Sequence, residues 1–217
     1  MISSSPPEPT ITIQEQFGQI DIYLFDQILR GNITPAMRIL DAGCGYGRNL
    51  VYLLREGADI HALDQNPEAV THVRELALSL RCPLPAANFA VAPIEAMPFP
   101  NDFADAVLCN SVLHFARDED HFRAMLAELW RTLAPGGLLF IRLGSRIGMD
   151  FERVGPNIFR TGDGSDWFLV DEDMLLDLTE ELNAIQVDPL KTTVVQDYRC
   201  MTTWVLRKRP TNPEGAA

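Results

Sequence analysis

The chain is poor in cysteine, in positive charge and in long apolar runs, and each shortage removes a class of function. Its four cysteines, Cys44, Cys82, Cys109 and Cys200, are scattered over 217 residues and form neither a CxxC pair nor a metal-ligand spacing. No disulfide scaffold and no metal are expected, and a reducing cytoplasmic setting is the simpler reading. Lys and Arg number 18 against 30 Asp and Glu, a formal charge of −12. A surface that negative repels phosphate backbones and argues against a nucleic-acid partner. The one dense basic run, Arg207-Lys208-Arg209, reads as a solvated strand end. No stretch reaches the roughly 18 consecutive apolar residues of a membrane span, so no membrane partner is expected. Met1 to Thr10 lacks both the basic start and the apolar centre of a signal peptide. No internal repeat is present, and nothing bears on oligomeric state.

What is present is an ordinary globular composition, 47% hydrophobic, in a chain long enough for one α/β domain. Residues 1–16 and 210–217 read as flexible tails around a single domain at 17–209. From about residue 38 to 143, segments of strand character alternate with segments of helical period. Strands are expected at Arg38–Ala42, Asp59–Asp64, about Asn88–Ala92, Asp105–Asn110 and Leu138–Leu143, the last preceded by a break at Pro135-Gly136-Gly137. Helices are expected at Ile20–Leu29, Arg48–Glu56, from Asn66 to about Leu80, and from Asp118, with a later one capped by Asp171. Two more strands are expected, about Ala184–Lys191 and Cys200–Arg207. Directly after the fifth strand lies a long Gly- and Asp-rich connection, Gly144–Trp167, which is either a lid or a surface excursion; its aromatics Phe151, Phe159 and Trp167 favour a lid. The alternation implies a parallel sheet with helices on both faces, whose ligands bind beyond the carboxyl ends of the strands.

The residues at those ends are informative. After the first strand stands Asp41-Ala42-Gly43-Cys44-Gly45-Tyr46-Gly47-Arg48-Asn49. Three glycines at alternate positions let the backbone turn sharply and approach a ligand closely. Dinucleotide folds space them as GxGxxG, with pyrophosphate at the helix N-terminus. Here the third glycine comes one residue early, and Asp41 would repel pyrophosphate but suits an ammonium group. The second strand ends at Asp64-Gln65, where a carboxylate can accept both hydroxyls of a ribose.

These residues resemble motif I of the class I S-adenosylmethionine-dependent methyltransferases, an apolar pair followed by DxGxGxG. Met97-Pro98-Phe99-Pro100, Ala104-Asp105-Ala106-Val107 and Leu133-Ala134-Pro135-Gly136-Gly137 are similar to that family's later motifs. The likeness covers about residues 38–143. Gly47-Arg48-Asn49 and the short domain are similar to the tellurite-resistance and thiopurine-type small-molecule methyltransferases.

The resemblance implies a doubly wound, mostly parallel seven-stranded sheet with an antiparallel C-terminal strand and an N-terminal cover helix. It implies S-adenosyl-L-methionine as cofactor, held by Asp41, Gly43, Gly45, Gly47, Arg48, Asn49, Asp64, Gln65, Ile94 and Asn110. One departure stands out. The family often places Asp or Asn after the third strand to read the adenine amino group, and this chain has Pro93, which offers neither a side-chain acceptor nor an N–H. The Ile94 N–H is left for adenine, with Gln65 beside the ring.

The implied reaction is in-line methyl transfer to a small molecule, with the protein positioning the nucleophile and excluding water. His114 is the candidate base, though a histidine packed at a strand–helix junction is an equal reading. Arg142, with Arg146 and Arg199, is a candidate for gathering an anionic substrate. A soft nucleophile would need little basic help. The alternative is a catalytically silent cofactor-binding domain with a regulatory role; a dehydrogenase is disfavoured by the glycine spacing.

Overall fold

The computed structural model describes residues 11–211. Most of the chain builds one twisted sheet. Its parallel part is β1 (Arg38–Ala42), β2 (Asp59–Asp64), β3 (Phe89–Val91), β4 (Ala104–Asn110) and β5 (Leu133–Gly144). After these, β10 (Lys191–Val195) and β11 (Arg199–Arg207) extend the far edge, giving the order β10-β11-β5-β4-β1-β2-β3. Only β11 runs against its neighbours in this seven-stranded path, as expected of the C-terminal strand. A two-residue strand, β9 (Ile185–Gln186), adds an eighth by pairing with β11.

Strand periodicity divides the core in two. Along β5, Leu139 and Ile141 point to one face and Leu138 and Phe140 to the other. The first face is covered by α5 (Glu119–Thr132) and α6 (Glu172–Glu181), through Phe122, Leu126, Leu175 and Leu178. The second is covered by α2 (Ile22–Leu29), α3 (Val51–Arg55) and α4 (Pro67–Ser79), through Leu24, Leu53, Leu54 and Val73. Asn66 caps α4 by accepting the Glu68 N–H at 3.0 Å, and Asp118 and Asp171 cap α5 and α6 in the same way. Among the described residues no helix is long and apolar enough to cross a membrane.

Several elements depart from expectation. The helix expected at Arg48–Glu56 is cut to Val51–Arg55, because the glycine turn persists to Leu50. Residues 13–16, expected to lie in a flexible tail, belong to α1 (Ile13–Phe17), which opens with a capping box between Thr12 and Glu15; residues 1–10 and 212–217 of the expected tails lie outside the described residues. Pro135-Gly136-Gly137 does not precede β5 but bulges within it, the register against β4 shifting between Ala104 and Ala106. A Cβ on Gly137 would fall 2.9 Å from the Asp105 carbonyl, so only glycine fits that bulge. The strand expected at Ala184–Lys191 stops at Gln186. Pro189 cannot donate to a ladder, and the buried Asp188 turns back to accept from Gln27 of α2 and from Arg30 just beyond its end, each at 2.7 Å.

The long connection after β5 is not an open loop. It folds into a second sheet of β6 (Glu152–Gly155), β7 (Ile158–Arg160) and β8 (Asp166–Phe168). Trp167 of β8 stacks on His114 with ring centroids 4.1 Å apart, and Phe168 stacks on Phe122 of α5 at 4.9 Å. Arg160 pairs with Asp166 within the sheet, and Arg146 pairs with Asp171 at its base. Of the three aromatics that suggested a lid, Trp167 is, together with Phe168, an anchor that fixes this sheet to the domain. Amide exchange in residues 152–168 is therefore expected to be slow in the ligand-free protein and unchanged by ligand. Trp167→Ala should speed it and cost about 2–4 kcal/mol of stability in chemical denaturation.

Candidate functional site

The carboxyl ends of β1, β2 and β4 and the turn after β3 surround a cavity of about 870 Å³. The glycine turn forms its floor. The N–H groups of Gly43 and Cys44 both donate to the Leu63 carbonyl, at 2.8 and 2.9 Å, so the turn is folded back onto the end of β2. Gly43 has a φ of +81°, and a Cβ there would stand 2.4 Å from Val112, so neither conformation nor space admits a side chain. Gly45 faces the open cavity, with nothing within 4 Å of where its Cβ would be. Asp64 steadies the turn: one carboxylate oxygen accepts the Gly45 N–H and the other the Asn66 N–H, both at 2.9 Å.

Of the sequence-predicted residues, Gly43, Gly45, Arg48, Asn49, Asp64, Gln65, Ile94 and Asn110 line the cavity. Asp41 lies beneath it, 2% exposed at the end of β1. Burial, and then the charge of Asp64, push its carboxyl up to about 7, against the opposing pull of Arg48. Asn110 accepts at its side-chain oxygen from the Arg48 guanidinium and the Ser111 hydroxyl, both at 2.8 Å, which leaves its buried Nδ2 with no partner. Cys44 also lines the cavity, but burial and the neighbouring carboxylates hold its thiol far above the nucleophilic range.

Gly47, His114 and Arg142 are not brought to the cavity. Gly47 is buried under α4, where a Cβ would press on Val73 and Leu76. His114 is 2% exposed, its Nδ1 accepts the Gly144 N–H at 3.2 Å, and burial depresses its pKa to about 4. The junction-packing reading therefore describes it, and the structure gives it no reach as a base. Arg142 is spent on the N-terminal segment: its Nε lies 3.1 Å from Asp21, and its guanidinium covers the Tyr23 ring at 4.7 Å. The other oxygen of Asp21 caps α2, and its N–H donates to Asn49 at 3.0 Å. That one residue thus joins the N-terminal segment to the glycine turn and to β5, and brings Gln19 to the cavity wall.

The sequence reading missed the wall facing the glycine turn. The missed residues are Glu95 after β3 and Phe115, Arg117, His121 and Met125 around the start of α5; Arg199, which the sequence reading did consider, joins them from β11. Phe115 is 61% exposed, an apolar surface at the mouth. Of the three arginines considered for an anionic substrate, Arg199 alone lines the cavity, since Arg142 and Arg146 are each paired with an aspartate.

Residues 40–141 match the family described as methyltransferase domain. The chain carries a class I S-adenosylmethionine-dependent methyltransferase domain. The methyltransferase domain is 36% identical over 110 residues to malonyl-[acyl-carrier protein] O-methyltransferase of Halorhodospira halophila, covering 49% of this chain and 35% of that protein. An uncharacterized methyltransferase of Mycobacterium bovis is 33% identical over 133 residues, covering 60% of this chain and 50% of its own length. The match thus spans half or less of these relatives. In fold the chain is similar to the Burkholderia thailandensis 1,6-didemethyltoxoflavin-N1-methyltransferase, solved with bound 1,6-didemethyltoxoflavin and S-adenosylhomocysteine. That likeness has a TM-score of 0.64 at 21% identity and covers 89% of this chain and 79% of the other.

The buried Asp41 gives the domain a measurable signature. Its raised pKa means that above pH 7 the folded state holds a charge that the unfolded chain would solvate, a cost absent below the unfolded value near 4. Asp41→Asn should therefore raise the melting temperature of the ligand-free protein, and by more at pH 8 than at pH 5. Equal melting temperatures at pH 8 would show that Asp41 carries no such cost.

Proposed function

We propose that this methyltransferase domain binds S-adenosyl-L-methionine in the 870 Å³ cavity and transfers its methyl group in line to a small molecule. The observation that carries the reading is the pairing of two strand-end carboxylates with an unpartnered donor around one glycine turn. Asp41 suits the methionyl ammonium, whose positive charge would relieve the cost of that buried carboxylate. Asp64, with acceptor capacity left on both oxygens, suits the ribose hydroxyls. The Asn110 amide and Arg48 suit the methionyl carboxylate, which would satisfy the buried Nδ2. Bound there, the cofactor supplies an electrophilic methyl with its own leaving group.

The residues of the chain then have positioning work rather than proton transfer. His114 has its Nδ1 occupied and its imidazole held behind the cavity wall, so the acceptor is read as a nucleophile that needs little basic help, such as a thiolate or a carboxylate. The cavity volume falls within the range of small-ligand pockets, and its net-negative surroundings disfavour a phosphate polymer. Gln19 and the Asp21 latch keep the N-terminal segment over the cavity, which limits water beside the transferring methyl.

Titration calorimetry tests the reading directly. S-adenosylhomocysteine should bind and NAD should not. Asp64→Ala, in a protein that still folds, should weaken the S-adenosylhomocysteine affinity by about 1–3 kcal/mol through loss of a charged acceptor. An affinity unchanged by that substitution would place the ribose elsewhere.

A further inference from the structure

Glu95 and His121 stand together on the cavity wall, and neither has been given a task. Glu95 sits in a single turn of 3-10 helix, Ile94–Ala96, that follows β3 and packs on the start of α5. His121 lies in the first turn of α5 with its side chain almost buried. Its Nδ1 accepts the Arg117 N–H at 3.1 Å, so the ring hydrogen is carried by Nε2. That Nε2 is 3.1 Å from a Glu95 carboxylate oxygen, within ion-pair reach though off the hydrogen-bond angle, and it has no other partner among the described residues. The imidazole therefore stands against one oxygen of Glu95, while the other has no partner among the described residues and can accept a hydrogen bond in the cavity.

Sheet order decides which part of a ligand reaches that oxygen. Across the carboxyl edge the strands run β3, β2, β1, β4. If Asp41 of β1 takes the methionyl ammonium and Asp64 of β2 the ribose, the group beyond the ribose must lie over the turn after β3. That turn is tied to the ribose site, since the Ala92 N–H donates to the Asp64 carbonyl at 3.1 Å. Its residues are Pro93, which has no donor and no polar side chain, Ile94, which supplies an apolar surface, and Glu95.

Resting on the cofactor reading above, we infer that Glu95, positioned by His121, accepts a hydrogen bond from the exocyclic amino group of the cofactor's purine and sets the selectivity for adenine. A carboxylate accepts from an amino group but is repelled by a carbonyl oxygen at the same place. The wall should thus reject a hypoxanthine base, because two acceptors would face each other with no hydrogen between them. His121 acts only through Glu95, by holding the carboxylate in the orientation that meets the ring edge.

The test compares S-adenosylhomocysteine with S-inosylhomocysteine, which differ at that one group, by calorimetry on the full chain. Wild type should prefer the adenosyl form by about 30-fold or more, as hydrogen-bond-reading sites do. Glu95→Gln, whose amide can accept from an amino group or donate to a carbonyl, should lower the preference to about threefold or less with little change in melting temperature. His121→Ala should give an intermediate preference, and His121→Gln, which restores a donor to Glu95, should recover part of the loss. A wild-type protein that binds both ligands equally overturns the inference without any variant, and so does a Glu95→Gln protein that keeps the wild-type ratio. Failure of S-adenosylhomocysteine itself to bind would instead overturn the cofactor reading.

Discussion

Two carboxylates at the ends of adjacent parallel strands, Asp41 and Asp64, impose the constraint to which the site answers. Packing β1 against β2 in register fixes both strand ends side by side, and the helix layers shut Asp41 away from water. A buried carboxylate beside another charge is costly unless something positive arrives. Arg48 supplies part of the compensation in the ligand-free protein. The glycine turn supplies more, because its Gly45 N–H is drawn onto Asp64. Stability withheld at this point is what a cationic ligand can return, so the affinity of the site and the strain of the empty fold are two sides of one arrangement.

A third carboxylate does the opposite work. Asp21 meets a positive partner, two backbone donors of its own helix and, through its N–H, the Asn49 side chain. Nothing is left over for a ligand, and the result is a latch that carries the N-terminal segment to the cavity. The sheet formed by β6, β7 and β8 is similar in kind: Trp167 lies on His114 and Phe168 on Phe122, so ring stacking fastens an insertion that could otherwise have swung. Both devices use residues at strand ends, the same positions that carry ligands elsewhere in the fold. That is why Arg142 and His114 looked like chemistry and turned out to be fastening.

The amino-acid sequence by itself determined the strand–helix alternation, the capped starts of α4, α5 and α6, the glycine turn and the two strand-end acids. Each of these depends on local rules. Period-2 and period-3.6 apolar patterns, Asn or Asp ahead of a helix, and glycine at a positive φ act over a few residues and can be read wherever they occur. Eight of the twelve proposed site residues line the cavity and Asp41 lies just beneath it, because a strand end is a position that local pattern defines.

Tertiary structure alone decided the rest. Whether a polar side chain at a strand end faces the cavity or is already occupied depends on partners far away in the chain: Asp21 for Arg142, Asp171 for Arg146, Trp167 for His114. Glu95 and His121 are 26 residues apart in numbering, and only the packing of the turn after β3 against α5 makes them neighbours. No periodicity announces such a meeting, since it depends on how two elements dock and not on what either one is. The same holds for the connection after β5, whose glycines and aspartates read as a loop until the aromatics between them found a surface to stack on.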